Sequence, residues 1–379
     1  MNENIFNYLY PSDNTNLNEL NKQDLYKILL LINKYDLEYR NTLNIDNDIT
    51  FGLEIEFEDT KYEKVNNLIE QLNLQNLPWT KTKWITTDER SINYGGETKS
   101  PILKDDIQTW KQLKQVLTII NKEAKIKNAS SGHIHIGKQA LKDNLDSWIN
   151  FVKLWIAYEN IIYRFGYNEY LNARPTLNQF AGPIAKELQK DMKKKYKNHE
   201  QIIKTLNQHC RTYAFNVDHI KSSNLYKSEP IDTIEFRNFN ASFNEIIWQN
   251  NTNFITKFLS YCNKTDFDMD TINKRIKKNT NVYTFPIYSY HQINIKQAIE
   301  LSDLIFNNNL DKIYFLRQYF KSFQPNENYV KAKKMTKENT LYRVFLLLFN
   351  NFRYNASANC MSTFTNWELS TIFNCDRCD

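Results

Sequence analysis

The chain contains few glycines, prolines and cysteines, and it has no long apolar segment. Of its 379 residues, seven are glycine, eight are proline and five are cysteine. Five scattered cysteines favour reduced thiols over a disulfide framework. No apolar run approaches the roughly 18 residues that a membrane-spanning helix needs, and the amino terminus lacks a basic region followed by an apolar core. We therefore expect a soluble, cytoplasmic protein without a membrane segment.

Two phosphate-binding motifs are also absent. The sequence has neither the GxxxxGKS/T pattern of a P-loop nor the GxGxxG pattern of a Rossmann fold, so neither fold is expected. The net charge of +6 is mild, and the basic runs that produce it are typical of solvated helix faces. These runs allow contact with an anionic partner, but nothing in them is suited to reading bases. Nucleic acid is therefore not the expected partner.

The composition predicts a folded protein that combines strands with helices. Hydrophobic residues make up 41% of the chain and aromatic residues 14%, which is enough for a substantial core. We predict an α+β fold in which helices back an antiparallel sheet. Aromatic residues such as Trp155 recur at near-helical spacing, which favours a place in the core. The predicted organisation is a helical extension at 1–47, a catalytic domain at 48–245 with a helical insertion at about 141–210, and a mainly helical region at 246–379 packed on that domain.

Segment Phe51–Glu58 alternates apolar and acidic residues. Side chains of a β-strand point alternately to opposite faces, so this pattern predicts a strand with one core face and one acidic face. Partly buried carboxylates about 7 Å apart repel each other by about 2 kcal/mol per pair at an effective dielectric near 20. The acidic face therefore contacts water or holds a cation. The predicted core residues are Leu53, Ile55 and Phe57, and the acidic residues are Glu54, Glu56 and Glu58.

Three further segments carry functional side chains in one phase of a predicted strand. They are Glu97–Pro101, which follows two glycines, Gly132–Gly137 with its two histidines, and Ile234–Arg237 with a carboxylate and a guanidinium. A sheet that collects these groups on its non-core face is more typical of an active site than of a water-facing surface. Carboxylates with few imidazoles suit Mg²⁺ or Mn²⁺, although the two histidines keep zinc open. An arginine beside the acids suits a transferring phosphoryl group.

The order and spacing of these motifs resemble the putative amidoligase family. That family belongs to the fold superfamily of glutamine synthetase and glutamate-cysteine ligase, whose ATP-dependent enzymes join a carboxylate to an amine. The resemblance covers roughly residues 50–245 and leaves both ends of the chain without a counterpart. It rests on Gly52-Leu53-Glu54-Ile55-Glu56, Glu97 with Ser100-Pro101, Ser131-Gly132-His133-Ile134-His135, Arg211 with Tyr213 and Asn216, and Glu235-Phe236-Arg237.

The resemblance implies a glutamine synthetase-like catalytic face and a two-step reaction. An ATP-dependent ligase would form an amide or peptide bond through an acyl-phosphate, with Mg²⁺ or Mn²⁺ as the divalent ion. Its substrates would be a small-molecule or peptide carboxylate and an amine. The implied metal ligands are Glu54, Glu56, Glu97, His133 and Glu235, the nucleotide-binding residues are Arg211, Asn216 and Arg237, and the catalytic residues are Glu235, Arg237 and His135.

The chain departs from the family pattern in two places. The segment that begins at Asp88 is one residue longer than usual, which leaves the role of this aspartate open. Gly132 directly precedes His133, which leaves open whether His133 or His135 is the first metal ligand. Glu58 lies beyond the family motif and is expected to face solvent.

Other functions remain open at this point. A phosphotransferase on the same fold would use the same residues without forming an amide. A metal-dependent nuclease would use Asp88, Glu97 and Lys99, but it would leave the acidic strand and the histidine strand without a role. An interaction protein with a silent site would be indicated by missing ligands, and no expected ligand is missing. Cys360 with Cys375–Cys378 has spacing suited to zinc, but a tetrahedral site needs a fourth ligand.

Overall fold

The computed structural model describes residues 9–170, 173–209, 211–220, 232–279 and 294–320, together with the backbone of strands Phe323–Gln324 and Lys333–Lys334. These residues combine a six-stranded antiparallel sheet with 11 helices, which confirms the predicted antiparallel sheet and its accompanying helices. Within this part of the chain, every helix is too short or too polar to cross a membrane. The three cysteines considered for zinc binding lie outside the described residues.

Six strands from distant parts of the chain form the sheet. They are β1 (Phe51–Glu58), β2 (Ile85–Thr87), β3 (Gly95–Lys99), β4 (Ser131–Gly137), β5 (Phe215–Asn216) and β6 (Thr233–Asn240). Their spatial order is β2-β3-β1-β4-β6-β5, and every neighbouring pair is antiparallel. Strand β1 has the predicted alternation, because Leu53, Ile55 and Phe57 are buried in the core. The acidic phase of this strand therefore lies on the opposite face of the sheet.

The register decides which side chains meet on that face. Residues directly opposite each other in an antiparallel pair lie on the same side of the sheet, so they are close neighbours. Three such pairs join β3, β1, β4 and β6 across the middle of the sheet. They are Glu56 with Glu97, Glu54 with His133, and His135 with Glu235.

Eleven helices accompany the sheet. They are α1 (Lys22–Lys34), α2 (Tyr62–Gln71), α3 (Ile107–Glu123), α4 (Leu145–Gly166), α5 (Leu177–Phe180), α6 (Ala185–Asp191), α7 (His199–Leu206), α8 (Glu245–Cys262), α9 (Met269–Asn279), α10 (Ile295–Ile305) and α11 (Asn309–Phe320). Asparagine begins several of them, since its side-chain oxygen accepts a hydrogen bond from a backbone N–H of the first turn. These N-caps are Asn21, Asn144, Asn198, Asn244 and Asn294.

The apolar face of the sheet packs against α4 and α8. The rings of Phe151 and Trp155 on α4 lie with their centroids 4.9 Å from the ring of Phe215 on β5. Both rings also contact Phe236 on β6, and Phe258 on α8 packs against them from the other side. Trp155 is fully buried, as its helical spacing predicts. One face of the sheet is thus filled by aromatic side chains, and the other face remains for polar groups.

The amino-terminal segment contacts the last described helices. Arg40 forms an ion pair with Asp311 at 2.7 Å, and Arg317 Nε donates a hydrogen bond to the carbonyl oxygen of Tyr35 at 2.7 Å. Both partners on the carboxyl-terminal side belong to α11. The predicted division of the chain into three regions stays a prediction.

Candidate active site

The polar face of strands β3, β1, β4 and β6 forms the floor of a cavity of about 580 Å³. This volume lies in the range of sites for small molecules. Eight of the nine predicted site residues line the cavity, and the ninth, Asn216, contacts one of them from β5. The eight lining residues are Glu54, Glu56, Glu97, His133, His135, Arg211, Glu235 and Arg237.

His133 lies at the centre of the polar face. Its Nδ1 atom is 3.0 Å from Glu54 Oε2, 3.6 Å from Glu235 Oε1 and 3.8 Å from Glu97 Oε1. Its Nε2 atom is 3.7 Å from Glu56 Oε1. One buried imidazole therefore lies within 4 Å of carboxylates from three different strands.

His135 lies beside the same acidic strand. Its Nε2 atom is 3.4 Å from Glu54 Oε1, and its Nδ1 atom is 3.2 Å from Thr233 Oγ1. Burial lowers the pKa of His135, but the charge and hydrogen bonding of Glu54 together with the charge of Glu235 outweigh burial, so the pKa is raised overall. Burial likewise raises the pKa of Glu54, but His135 and His133 lower it well below its usual value. His135 Nε2 is buried and makes no well-formed hydrogen bond, so it is available to a ligand.

Glu97 and Lys99 form an ion pair along β3. Lys99 Nζ lies 2.7 Å from Glu97 Oε2 and 3.6 Å from Glu54 Oε1. The pKa of Glu97 is nevertheless raised well above its usual value, because burial and the charge of Glu54 outweigh the effect of Lys99. Burial lowers the pKa of Lys99, but Glu54 and Glu97 raise it by more. A proton or a bound cation at Glu97 would therefore relieve its repulsion with Glu54.

Glu235 and Arg237 form a second ion pair, along β6. Arg237 Nη1 donates to Glu235 Oε1, Asn216 Nδ2 donates to Glu235 Oε2 at 2.7 Å, and His219 Nε2 lies 3.5 Å from Oε2. Burial raises the pKa of Glu235, but His219, Arg237 and the two histidines of β4 together lower it by more, so this carboxylate stays ionised. Arg237 Nε also donates to the carbonyl oxygen of Phe180 at 3.3 Å. These contacts fix the orientation of the guanidinium beside the cavity.

Two overlapping groups on the polar face have donor atoms suited to a divalent cation. Within each group, the ligand atoms lie within 4.8 Å of one another. The four carboxylates of the face lie among two cationic strand residues, Lys99 and Arg237, which leaves two negative charges when the imidazoles are neutral. This charge and the oxygen-rich donor set fit Mg²⁺ or Mn²⁺. The groups are Glu54 with Glu97 and His133, and Glu54 with His135 and Glu235.

Glu58 is half-buried rather than fully solvated as predicted, because one of its carboxylate oxygens is bonded to a loop. Its Oε1 atom accepts hydrogen bonds from Ala129 N at 3.0 Å, Ser130 N at 3.1 Å and Ser130 Oγ at 2.9 Å. The loop before β4 crosses the end of β1, where the backbones of Glu58 and Lys125 pair. The carboxylate therefore satisfies donors of this loop, and its role is structural.

Arg211 and Asp88 lie at the edge of the cavity or outside it. The side chain of Arg211 is 53% exposed, donates to Asp218 and reaches the cavity rim. Asp88 is exposed and does not line the cavity, although the residues that follow it do. The nuclease arrangement considered around Asp88 is therefore not assembled.

Among the lining residues that were not predicted for the site, four have basic or aromatic side chains and come from outside the strands. Arg174 is buried and donates to the carbonyl oxygens of Phe239 at 2.6 Å and Arg237 at 3.1 Å. All four lie on loops or on the short helix α5, where no period-two pattern marks them. The nearest sequence signal is that His219 follows Asn216 of the family motif by three residues. The four are Arg90, Arg174, Phe180 and His219.

Comparison with known proteins identifies a family for the middle of the chain. Residues 79–259 match the family model described as "Putative amidoligase enzyme", which confirms the resemblance drawn from the motifs. This range contains β3, β4 and β6, while the acidic strand β1 precedes it. The match indicates a ligase-type enzyme. No curated protein matches the chain.

Proposed function

Because residues 79–259 match the amidoligase model, we propose that this protein is an ATP-dependent ligase that joins a carboxylate to an amine. The bond formed is an amide or peptide bond, and the intermediate is an acyl-phosphate on a glutamine synthetase-like catalytic face. One observation supports this proposal most directly. A single cavity joins carboxylates and imidazoles suited to a divalent cation with arginines suited to phosphate.

Mg²⁺ or Mn²⁺ would be held by the residues of the polar face. Glu54, Glu97 and His133 form one suitable group, and Glu54, His135 and Glu235 form the other. When bound, such an ion offsets negative charge on the transferring phosphoryl group. Glu56 is positioned beside the first group, since its Oε2 atom accepts a hydrogen bond from the backbone N–H of Ser131 at 2.7 Å.

The arginines would bind the phosphate oxygens of ATP and of the acyl-phosphate. Arg237 is held in place by Glu235 and by the carbonyl oxygen of Phe180, so its planar fork is preorganised for a phosphoryl group. Arg211 lies at the exposed rim, where it suits the more distant phosphates. Asn216 acts through Glu235, whose orientation it fixes.

The proposed reaction has two steps. A carboxylate oxygen of the first substrate attacks the γ-phosphorus of ATP, the bond from this phosphorus to the β,γ-bridging oxygen breaks, and ADP leaves. The amine nitrogen then attacks the acyl carbon, the bond from carbon to the phosphate oxygen breaks, and phosphate leaves. When the ion occupies the group of Glu54, Glu97 and His133, His135 is the proposed acceptor of the amine proton, because its buried Nε2 atom lacks a well-formed hydrogen bond.

Hydroxylamine trapping tests this proposal without knowledge of the natural amine. The protein is incubated with Mg²⁺, ATP, hydroxylamine and a panel of amino-acid and peptide carboxylates. An acyl-phosphate would give a hydroxamate that ferric ion detects, together with one ADP per hydroxamate. We expect the signal to require ATP and to be lost in Arg237→Ala. Lys127→Ala is the control, because Lys127 pairs with Asp59 outside the cavity.

Other outcomes of this assay would redirect the assignment. A stable phosphorylated product without hydroxamate would favour the phosphotransferase, and plasmid cleavage without ATP would favour the nuclease. Full hydroxamate formation by a folded Arg237→Ala or Glu235→Ala variant would contradict the proposed site residues.

A further inference from the structure

Lys99 is a cation built into the polar face, and the proposed reaction gives it no role. It lies two residues after Glu97 on β3, and its Nζ atom contacts the carboxylates of both Glu97 and Glu54. The side chain is 43% exposed, so it reaches the acids from the cavity side. A lysine side chain with two carboxylate contacts is an ammonium ion at neutral pH.

Lys99 and His133 use different oxygens of the same two carboxylates. Lys99 Nζ contacts Glu97 Oε2 and Glu54 Oε1. His133 Nδ1 lies 3.0 Å from Glu54 Oε2 and 3.8 Å from Glu97 Oε1. The ammonium therefore leaves one oxygen of each carboxylate next to the imidazole, where a divalent cation can bind.

In the second group, the imidazole faces the Glu54 oxygen that Lys99 already contacts. His135 Nε2 lies 3.4 Å from Glu54 Oε1, which is the oxygen that Lys99 also contacts. In the same group, Glu235 Oε1 accepts a hydrogen bond from Arg237. Binding of a divalent cation there would compete with two side chains that are already charged.

The charges of the polar face also favour one bound divalent cation rather than two. Once a cation binds and Glu97 is ionised, Glu54, Glu56 and Glu97 carry three negative charges, and Lys99 supplies one positive charge. A single divalent cation balances the remaining two charges, while Arg237 balances Glu235. A second divalent cation would raise the net charge of these groups to about +2 with Lys99 present, and to only about +1 without it.

We propose that Lys99 takes the place of a second divalent cation, so that the nucleotide-free protein binds one such ion, at Glu54, Glu97 and His133. This inference rests on the proposed function for the presence of a metal ion. It predicts that removal of the ammonium opens the second group. The chain would then bind a second ion at Glu54, His135 and Glu235.

Counting bound Mn²⁺ by electron paramagnetic resonance, without nucleotide, tests the proposal. We expect one ion per chain in the wild-type protein, two in Lys99→Met and one in Lys99→Arg, which keeps the charge. Lys127→Met is a matched control, because Lys127 is 49% exposed and pairs with Asp59 outside the cavity; it should bind one ion. The double variant Lys99→Met/His135→Ala should return to one ion, which would locate the second.

The number of Mn²⁺ ions bound per chain supports or overturns the proposal in every case. Two ions in the wild-type protein, or one in Lys99→Met, would overturn it. If Lys99→Met does not fold by circular dichroism, Lys99→Gln replaces it with the same expected count. No bound Mn²⁺ in the wild-type protein would overturn both this inference and the metal requirement of the proposed function. A shift from one ion to two without hydroxamate formation would support the role of Lys99 while contradicting the ligase.

Discussion

Two pairs of residues with the same spacing flank the centre of the polar face. Glu97 with Lys99 lies on β3, and Glu235 with Arg237 lies on β6. Each pair places a buried carboxylate two residues before a cation on one strand. The two carboxylates nevertheless differ in charge preference, since the pKa of Glu97 is raised and that of Glu235 is lowered.

The difference comes from neighbours on other strands. Glu97 has the negative charge of Glu54 close by, and this repulsion adds to the effect of burial. Glu235 receives hydrogen bonds from Arg237 and Asn216 and has His219 within 3.5 Å. A local motif of carboxylate and cation therefore does not fix the charge state. The first pair is suited to gain a divalent cation, and the second to hold an arginine in place.

The largest expected effect is that of Glu235→Gln on stability. The substitution leaves the Arg237 guanidinium beside a neutral amide, and breaking a partly buried ion pair costs about 3 kcal/mol. Because the folded-state pKa of Glu235 lies below the unfolded one, this stabilisation is present above the unfolded pKa and lost as pH falls through the folded pKa. Urea unfolding at pH 7 measures the loss. An unchanged unfolding free energy would contradict the contrast between the two pairs.

Glu97→Gln should weaken divalent-ion binding. The substitution removes one charged ligand from the group of Glu54, Glu97 and His133, and we expect Mn²⁺ affinity to fall on the order of 100-fold. Calorimetric titration without nucleotide measures the affinity. Glu123→Gln is the control, because Glu123 pairs with Lys64 outside the cavity. Equal affinities in wild type and Glu97→Gln would place the ion elsewhere.

Asn216→Ala tests the donors around Glu235. It removes a 2.7 Å hydrogen bond to a buried carboxylate, and bonds to charged groups contribute about 1.5 kcal/mol or more. We expect a loss of this size in the unfolding free energy, smaller than that of Glu235→Gln. A double-mutant cycle of the two substitutions should show strong non-additivity. Simple addition would mean that Asn216 stabilises the fold independently of Glu235.

The smallest expected effect is a gain in the unfolding free energy, whereas Glu235→Gln and Asn216→Ala are expected to lower it. Without metal ions, Glu97→Gln should stabilise the fold by about 1 kcal/mol, because it removes the repulsion from Glu54. The loss of the partly exposed ion pair with Lys99 makes this gain smaller than the repulsion alone would give. The folded-state pKa of Glu97 is raised, so its stabilising contribution is complete below the unfolded pKa and is lost as pH rises through the folded pKa. The advantage of the variant should therefore grow as pH rises. Urea unfolding in EDTA at several pH values measures this advantage. An advantage that shrinks as pH rises would mean that the folded-state pKa of Glu97 is lowered instead.

Much of the site follows from local sequence patterns. Alternation in β1 placed Leu53 and Ile55 in the core and Glu54 and Glu56 on the other face, because neighbouring side chains of a strand point in opposite directions. Alternation did not predict the contacts of the Glu58 carboxylate. That residue keeps the acidic phase, but a loop distant in sequence crosses the end of the strand and uses its carboxylate.

Residues from loops could not be predicted in the same way. Arg174 and His219 reach the cavity because their segments pack against β6, and no periodic pattern precedes such contacts. The match over residues 79–259 begins after β1, yet the sheet places this strand between β3 and β4. Pairing between strands brings the acidic residues to the histidines.

The sequence by itself determined which residues are polar, which strand faces they occupy and which family their order resembles. Those properties depend on the two-residue period of a strand and on spacing along the chain. Only the tertiary structure decided that Glu54 lies between His133, His135 and Lys99, and that Glu97 and Glu235 have opposite pKa shifts. Both depend on burial and on charges brought within a few ångströms by strand register, which local sequence does not encode.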